Sequence, residues 1–210
     1  MSGAGTVVPH HSARHLGEGR RLEYFTIGWN TLEALVSVWA GIVAGSTALV
    51  GFGIDSVIES SSGAVLLWRL RDGGDHMARE RLALKLVGVS FLALAAWVAY
   101  ESATSLLGRE ATEVSYPGIA IAALSLLVMP WLARRKRRVA ADISSRALES
   151  DSRQTSLCAY LSAILLGGLV LNAALGWWWA DAVAALVMVP IITQEGVRAL
   201  KGEACEDCCC

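Results

Sequence analysis

The sequence predicts an all-α membrane protein of six transmembrane helices; composition, apolar segmentation and the placement of basic residues each lead there. Hydrophobic residues make up 54% of the chain and charged residues only 18%, with 8 Trp. That balance departs from soluble-domain averages in the membrane direction. The net charge of −1 points to no partner, because the charges are segregated along the chain. No basic n-region leads into a short apolar stretch with a small-residue cleavage site, so no removable signal peptide is expected.

Residues 1–21 are polar, small and basic and read as a disordered cytoplasmic tail. His10, His11 and His15 in that tail are either incidental or able to deliver metal to the mouth of a site. The first span runs from Tyr24 to Val43, and an Ala-Gly-Ser-Thr connection leads to the second, about Ala48 to Leu70. The third is about Leu86 to Leu107. The fourth, Gly118 to Leu132, ends in Arg134-Arg135-Lys136-Arg137-Arg138, and the fifth is Leu157 to Leu175. A Trp177-Trp178-Trp179 turn opens the sixth, Ala180 to roughly Thr193. A helix needs about 20 residues to cross the hydrocarbon, so the fourth and sixth are short by themselves. The membrane domain is expected over residues 22–200, with a Cys-rich tail at 201–210.

Basic residues set the orientation. With both termini in the cytoplasm, 3 Lys or Arg fall in the N-terminal tail, 5 in the second loop, 7 between spans four and five and 2 in the C-terminal tail. Only Arg109 would then face the opposite side. The positive-inside rule therefore places both ends in the cytoplasm of a cell that carries the chain in its inner or plasma membrane. The Trp cluster falls at the other interface, where amphipathic rings are favoured. Basic clusters beside spans report topology, and no nucleic-acid partner is expected.

Asp55 and Glu59 carry the chemistry. They stand four residues apart near the middle of the second span, on one face of a helix. Two like charges in hydrocarbon are expensive, and apart from Arg69 at the end of the second span no Lys or Arg occurs inside the six expected spans to offset them. A divalent cation or shared protons would do so; the alternative is a pair of carboxylates held by Arg or by hydrogen bonds for packing. Glu33 in the first span follows Asn30 on a helical face and could relay protons or line an access path. Asp181 is open to two roles, an outer access site or a helix N-cap.

The stretch Gly45-Ser46 through Asp55-Ser56-Val57-Ile58-Glu59 resembles the second span of the cation diffusion facilitator family, in which a D-x-x-x-D pair binds a divalent metal. Glu59 stands where the family usually has Asp. Ala147-Leu148-Glu149-Ser150-Asp151, Gln154-Thr155-Ser156-Leu157-Cys158 and Ala180-Asp181-Ala182 are similar to its fifth and sixth spans. The family carries H-x-x-x-D in the fifth span; here Gln154 aligns with the His and Cys158 with the Asp. The resemblance covers residues 24–200 and lacks the soluble domain that usually follows. It implies a membrane-domain-only cation exporter that works as a homodimer in the lipid bilayer by alternating access. Protons would be exchanged for a Zn, Cd, Co or Fe type of ion. No cofactor is implied, because the divalent cation is the substrate.

Asp55, Glu59, Gln154 and Cys158 would then supply the transport site, an oxygen-rich set with one sulfur. The missing imidazole and the thiolate lean toward softer or borderline ions. Depth is harder to reconcile. Asp55 is about 9 residues, roughly 14 Å, past Ser46, whereas Cys158 is about 18 residues, roughly 27 Å, before Gly176. Either the fifth helix extends beyond the hydrocarbon or the first connection dips inward.

The tail residues Cys205, Cys208, Cys209 and Cys210 are the second distinctive feature. Four thiols on one short segment can fold around a soft metal, although lipidation or redox chemistry would also use them. A non-transporting metal buffer or sensor acting through this tail is therefore the rival reading. A membrane enzyme is not expected, since the chain shows no nucleophile–base constellation and no phosphate-cradling loop.

Overall fold

The computed structural model describes residues 10–72, 77–109, 111–142 and 146–201. Six helices follow one another: α1 His10–Ala44, α2 Thr47–Asp72, α3 Met77–Gly108, α4 Tyr116–Asp142, α5 Arg146–Leu175 and α6 Ala180–Lys201. All six are long and apolar enough to cross a membrane, and the described residues include no strand. Large apolar side chains such as Leu35, Ile42 and Leu127 lie fully on the outside. Lipid is the medium in which such an exterior carries no cost.

The helices exceed the apolar runs that mark them. α1 starts at His10, inside the stretch expected to be a tail, and Gly19 already packs near Leu148 and Val139. α4 continues through its basic run to Asp142 and α5 begins at Arg146, because Arg and Lys are good helix formers. Spans four and six are thus 27 and 22 residues long, enough to cross. One expectation is corrected here: the spans do contain a further basic residue. Lys136 lies in α4 and is completely buried.

Helices α1, α2, α5 and α4 touch in a closed ring, and the α3–α6 pair packs against α2 and α5. At one end of the bundle a tight turn joins α1 to α2 at Gly45, whose φ of 65° suits glycine. Ser46 N donates to Gly41 O (2.9 Å) and Glu113 N to Ala44 O (2.9 Å), which satisfies carbonyls left over at the end of α1. Asp181, at the start of α6, accepts from the Ser46 hydroxyl and the Ala48 N–H of α2. Asp181 therefore caps a neighbouring helix, a variant of its expected capping role. Trp177 and Trp179 stack at the same end, with ring centroids 4.9 Å apart.

This end also eases the depth problem. Asn172 Nδ2 donates to Thr112 O (2.9 Å), and the adjoining Glu113 N bonds Ala44. Asn172 is thereby tied to the level of the α1–α2 turn, and the last residues of α5 project past it. Measured from that level, Cys158 lies about 21 Å down α5 and Asp55 about 15 Å down α2. About half of the mismatch disappears.

Glycines set how closely α3 and α6 approach. A Cβ on Gly88 would meet Gly196 O at 2.9 Å and Leu200 N at 2.9 Å, both backbone atoms that cannot swing away. Gly88→Val should therefore cost about 1–3 kcal/mol by overpacking and lower the midpoint of thermal unfolding in detergent. Gly167→Ala is the control, since no atom beyond the adjoining backbone of its own helix lies within 4 Å of its Cβ position, and its midpoint should match or exceed that of the parent. Equal midpoints for Gly88→Val and the parent would show that α3 and α6 are not closely packed.

Candidate cation site and buried polar core

The interior of the four-helix ring is polar along one face of α1. Glu23, Thr26, Asn30, Glu33 and Ser37 are all fully buried, and their spacing of three, four, three and four residues puts them on a single stripe. The stripe meets buried polar residues from every neighbour in the ring: Ser56 and Glu59 on α2, Ser125 and Lys136 on α4, Thr155 and Cys158 on α5. Buried polar groups are stable only when hydrogen-bonded or charge-compensated. The distribution of donors therefore distinguishes structural carboxylates from available ones.

Glu33 is well supplied. It accepts from Trp29 Nε1 (3.0 Å), from Ser56 Oγ (2.5 Å) and from the Cys158 thiol (3.5 Å). Three helices converge on this one carboxylate. Lys136 organises a second centre toward the far end of the ring. Its ammonium lies 3.2 Å from Glu23 Oε1, pairs with Asp151 and reaches Thr155 Oγ1 at 3.4 Å. Thr155 Oγ1 in turn lies 2.9 Å from Glu59 Oε1 and donates to it. The second Glu59 oxygen, Oε2, is buried without a hydrogen-bond partner, as is Asp151 Oδ1.

Asp55 differs from all of these. It is 5% exposed, and no hydrogen bond among the described residues reaches its carboxylate. It lines a cleft with Gln154 and Cys158 of α5, Phe91 of α3 and Ile192 and Glu195 of α6. The amide nitrogen of Gln154 is buried without a partner. Because the two ends of an amide are assigned from their surroundings, this group can present either an oxygen or an N–H to the cleft. Glu195, near the last turns of α6, lies 3.8 Å from Arg198.

Three of the four residues expected at the site thus meet at one cleft. The fourth does not: Glu59 is absent from the cleft lining and is engaged by Thr155 on the Lys136 side. The described residues hold no group of three or more His, Cys, Asp or Glu side chains placed to share one ion. Cys205, Cys208, Cys209 and Cys210 lie outside the described residues, as does His76; the side chains of His10, His11 and His15 do too.

Sequence reasoning missed Glu23, Lys136, Asp151, Thr155 and Glu195. The first left a signal in the periodic stripe on α1. Lys136 left a weaker one, as the single lysine in a run of arginines. Thr155 and Glu195 left none.

Comparison with known proteins agrees with this architecture. Residues 25–204 match the family model described as the cation efflux transmembrane domain. The chain is similar to transmembrane protein 163 of Xenopus laevis, 24% identical over 195 residues, which cover 91% of this chain and 69% of that protein. It is also similar to the cation-efflux pump FieF of Shewanella oneidensis, 27% identical over 110 residues, or 52% of this chain and 35% of the pump. A six-helix bundle with a polar interior, matched to this family over nearly its whole length, makes the chain an integral membrane protein of the cation efflux family.

Proposed function

We propose that the protein exports a divalent transition-metal cation in exchange for protons, with Asp55 as the principal ligand. The observation that carries this reading is the Asp55 carboxylate itself: buried, without a protein donor, and facing a cleft that also holds a thiol and an amide whose nitrogen has no partner. An ionised carboxylate in hydrocarbon requires compensation, and here no donor of the described chain supplies it. A soft or borderline cation suits a mixed oxygen and sulfur set. The name of the Shewanella relative, a cation-efflux pump, supports the direction of transport.

The coupling follows from charge. Asp55 and Glu59 together carry −2 when ionised and offset one divalent ion. A carboxylate that holds the ion cannot also hold a proton, so protons arriving from the far side displace the cation. Cys158 would bind as a thiolate and Gln154 through its amide oxygen. In this reading both termini face the cytoplasm, as the Lys and Arg distribution favours, and two copies form a homodimer, as the family resemblance implies.

Uptake of Zn²⁺, Cd²⁺, Co²⁺ and Fe²⁺ into proteoliposomes under an imposed pH gradient tests the proposal. Flux of one or more ions should follow the gradient and fall to the liposome background in Asp55→Asn. Flux unchanged by that substitution would sink the assignment. Deleting Cys205 to Cys210 separates transport from buffering: a transporter keeps its flux with an altered apparent affinity, whereas a buffer or sensor working through the tail loses its function.

Cys158 gives an independent check. It is 1% exposed, so in a chain whose four tail cysteines are replaced by Ser, maleimide labelling should be slow in the native protein and complete after denaturation. Cd²⁺ should slow the native reaction further. Labelling that is indifferent to Cd²⁺ would remove Cys158 from the ligand set.

A further inference from the structure

Glu59 poses a question that the cation site alone does not answer. It sits one helical turn from Asp55 on the same helix, yet it is not part of the cleft lining, and its carboxylate is held by a hydroxyl that is itself braced. Thr155 Oγ1 lies within reach of three partners: Lys136 Nζ at 3.4 Å, Glu59 Oε1 at 2.9 Å and the Asp151 carbonyl at 3.2 Å. A hydroxyl has one proton to give. With the ammonium donating to its oxygen, Thr155 must choose between Glu59 and the Asp151 carbonyl.

We propose that Thr155, braced by Lys136, is a positioning residue that holds Glu59 away from the Asp55–Cys158 cleft until a cation draws it across. This rests on the reading of Asp55 as a cation ligand. Three features make the exchange cheap. First, Lys136 keeps both Glu23 and Asp151 when Glu59 leaves, so no buried ammonium is stranded. Second, Thr155 keeps an acceptor, because its proton can turn to the Asp151 carbonyl. Third, Glu59 Oε2 has no partner to give up.

Glu59 also has the reach, with three side-chain torsions and a position one turn from Asp55. Cys158 lies one turn beyond Thr155 on α5, so a change of Glu59 rotamer moves its carboxylate from one α5 residue toward the next.

The arrangement has a thermodynamic signature. If Glu59 must leave Thr155 to bind the ion, the apparent affinity is reduced by the fraction of molecules in which it is free. Removing the hydroxyl lifts that penalty. Such a change strengthens binding, whereas general damage to the core weakens it.

The test uses the full-length chain with the four tail cysteines replaced by Ser, titrated with Cd²⁺ in detergent by calorimetry. Thr155→Val, which keeps the shape of the side chain, should bind Cd²⁺ about three- to tenfold more tightly; Thr155→Ser should match the parent. In a Glu59→Gln background Thr155→Val should have no effect, since the group it restrains can no longer serve as an anionic ligand. Unchanged or weaker binding in Thr155→Val, or equal tightening with and without Glu59, would overturn the proposal. Should Thr155→Val fail to fold, Thr155→Ala removes the same hydroxyl and carries the same expectations. Asp55→Asn distinguishes the two layers. If that variant binds like the parent, the cation site itself is misassigned; if it loses binding while Thr155→Val equals the parent, only the restraint on Glu59 fails.

Discussion

The structure is governed by the cost of holding charge inside a membrane bundle. Six carboxylates, from Glu23, Glu33, Asp55, Glu59, Asp151 and Asp181, are buried together with one ammonium, that of Lys136, among the described residues. Their formal charges do not cancel, and an uncompensated ion in hydrocarbon costs several kcal/mol at least. The protein meets this unevenly. Asp181 is spent on capping α2, Glu33 collects three neutral donors, and Glu23 and Asp151 share Lys136. Only Asp55 is left without a protein donor, and it is the one at the cleft. The same physical demand therefore accounts for what holds the bundle together and is the ground on which the proposed cation site was assigned to Asp55.

The ring of α1, α2, α4 and α5 and the flanking pair α3–α6 divide this labour. Polar residues of the ring point inward and make contacts that cross between helices, which in lipid contribute where hydrophobic burial contributes little. The flanking pair relies on close approach of glycine backbones at Gly88 and Gly196. Between the two units lies the cleft, walled by Asp55 and Cys158 from the ring and by Phe91 and Ile192 from the pair. Pro190 interrupts the backbone bonding of α6 next to Ile191 and Ile192, so the wall on that side is less stiff than an unbroken helix. Polar ties on one side and a looser apolar wall on the other would suit the proposed site, which has to admit and release an ion.

Much of this was legible in the sequence. The six spans followed from apolar runs of sufficient length, and the Asp55–Glu59 spacing identified the helix that carries the acids. Their shared face, however, did not imply a shared partner: a glutamate is long enough to reach a different neighbour from an aspartate one turn away, and only the packing of α5 shows which. Lys136 was hidden for a related reason. In a run of five basic residues, hydropathy assigns all to the membrane surface, yet the helix rotates one of them inward, where Glu23 from a distant part of the chain receives it. The ends of α4 and α5 were misread because apolar composition marks where a helix meets lipid and says nothing of where its hydrogen bonding stops. Long-range pairing and helix rotation are tertiary quantities, and single-sequence periodicity does not contain them.

The buried Lys136 also bears on how the protein is made. Its two acidic partners come from opposite ends of the chain in time: Glu23 of α1 is synthesised long before it, Asp151 of α5 just after. When α4 leaves the translocation machinery, the lysine has one partner available and the other still to be translated. Its five-residue basic run would give it somewhere to wait, because flanking arginines favour lipid headgroups, where an ammonium stays hydrated. Docking of α5 would then supply Asp151 and let the side chain turn inward. The seating of α4 would thus be an electrostatic step, completed only after the helix that follows it has arrived.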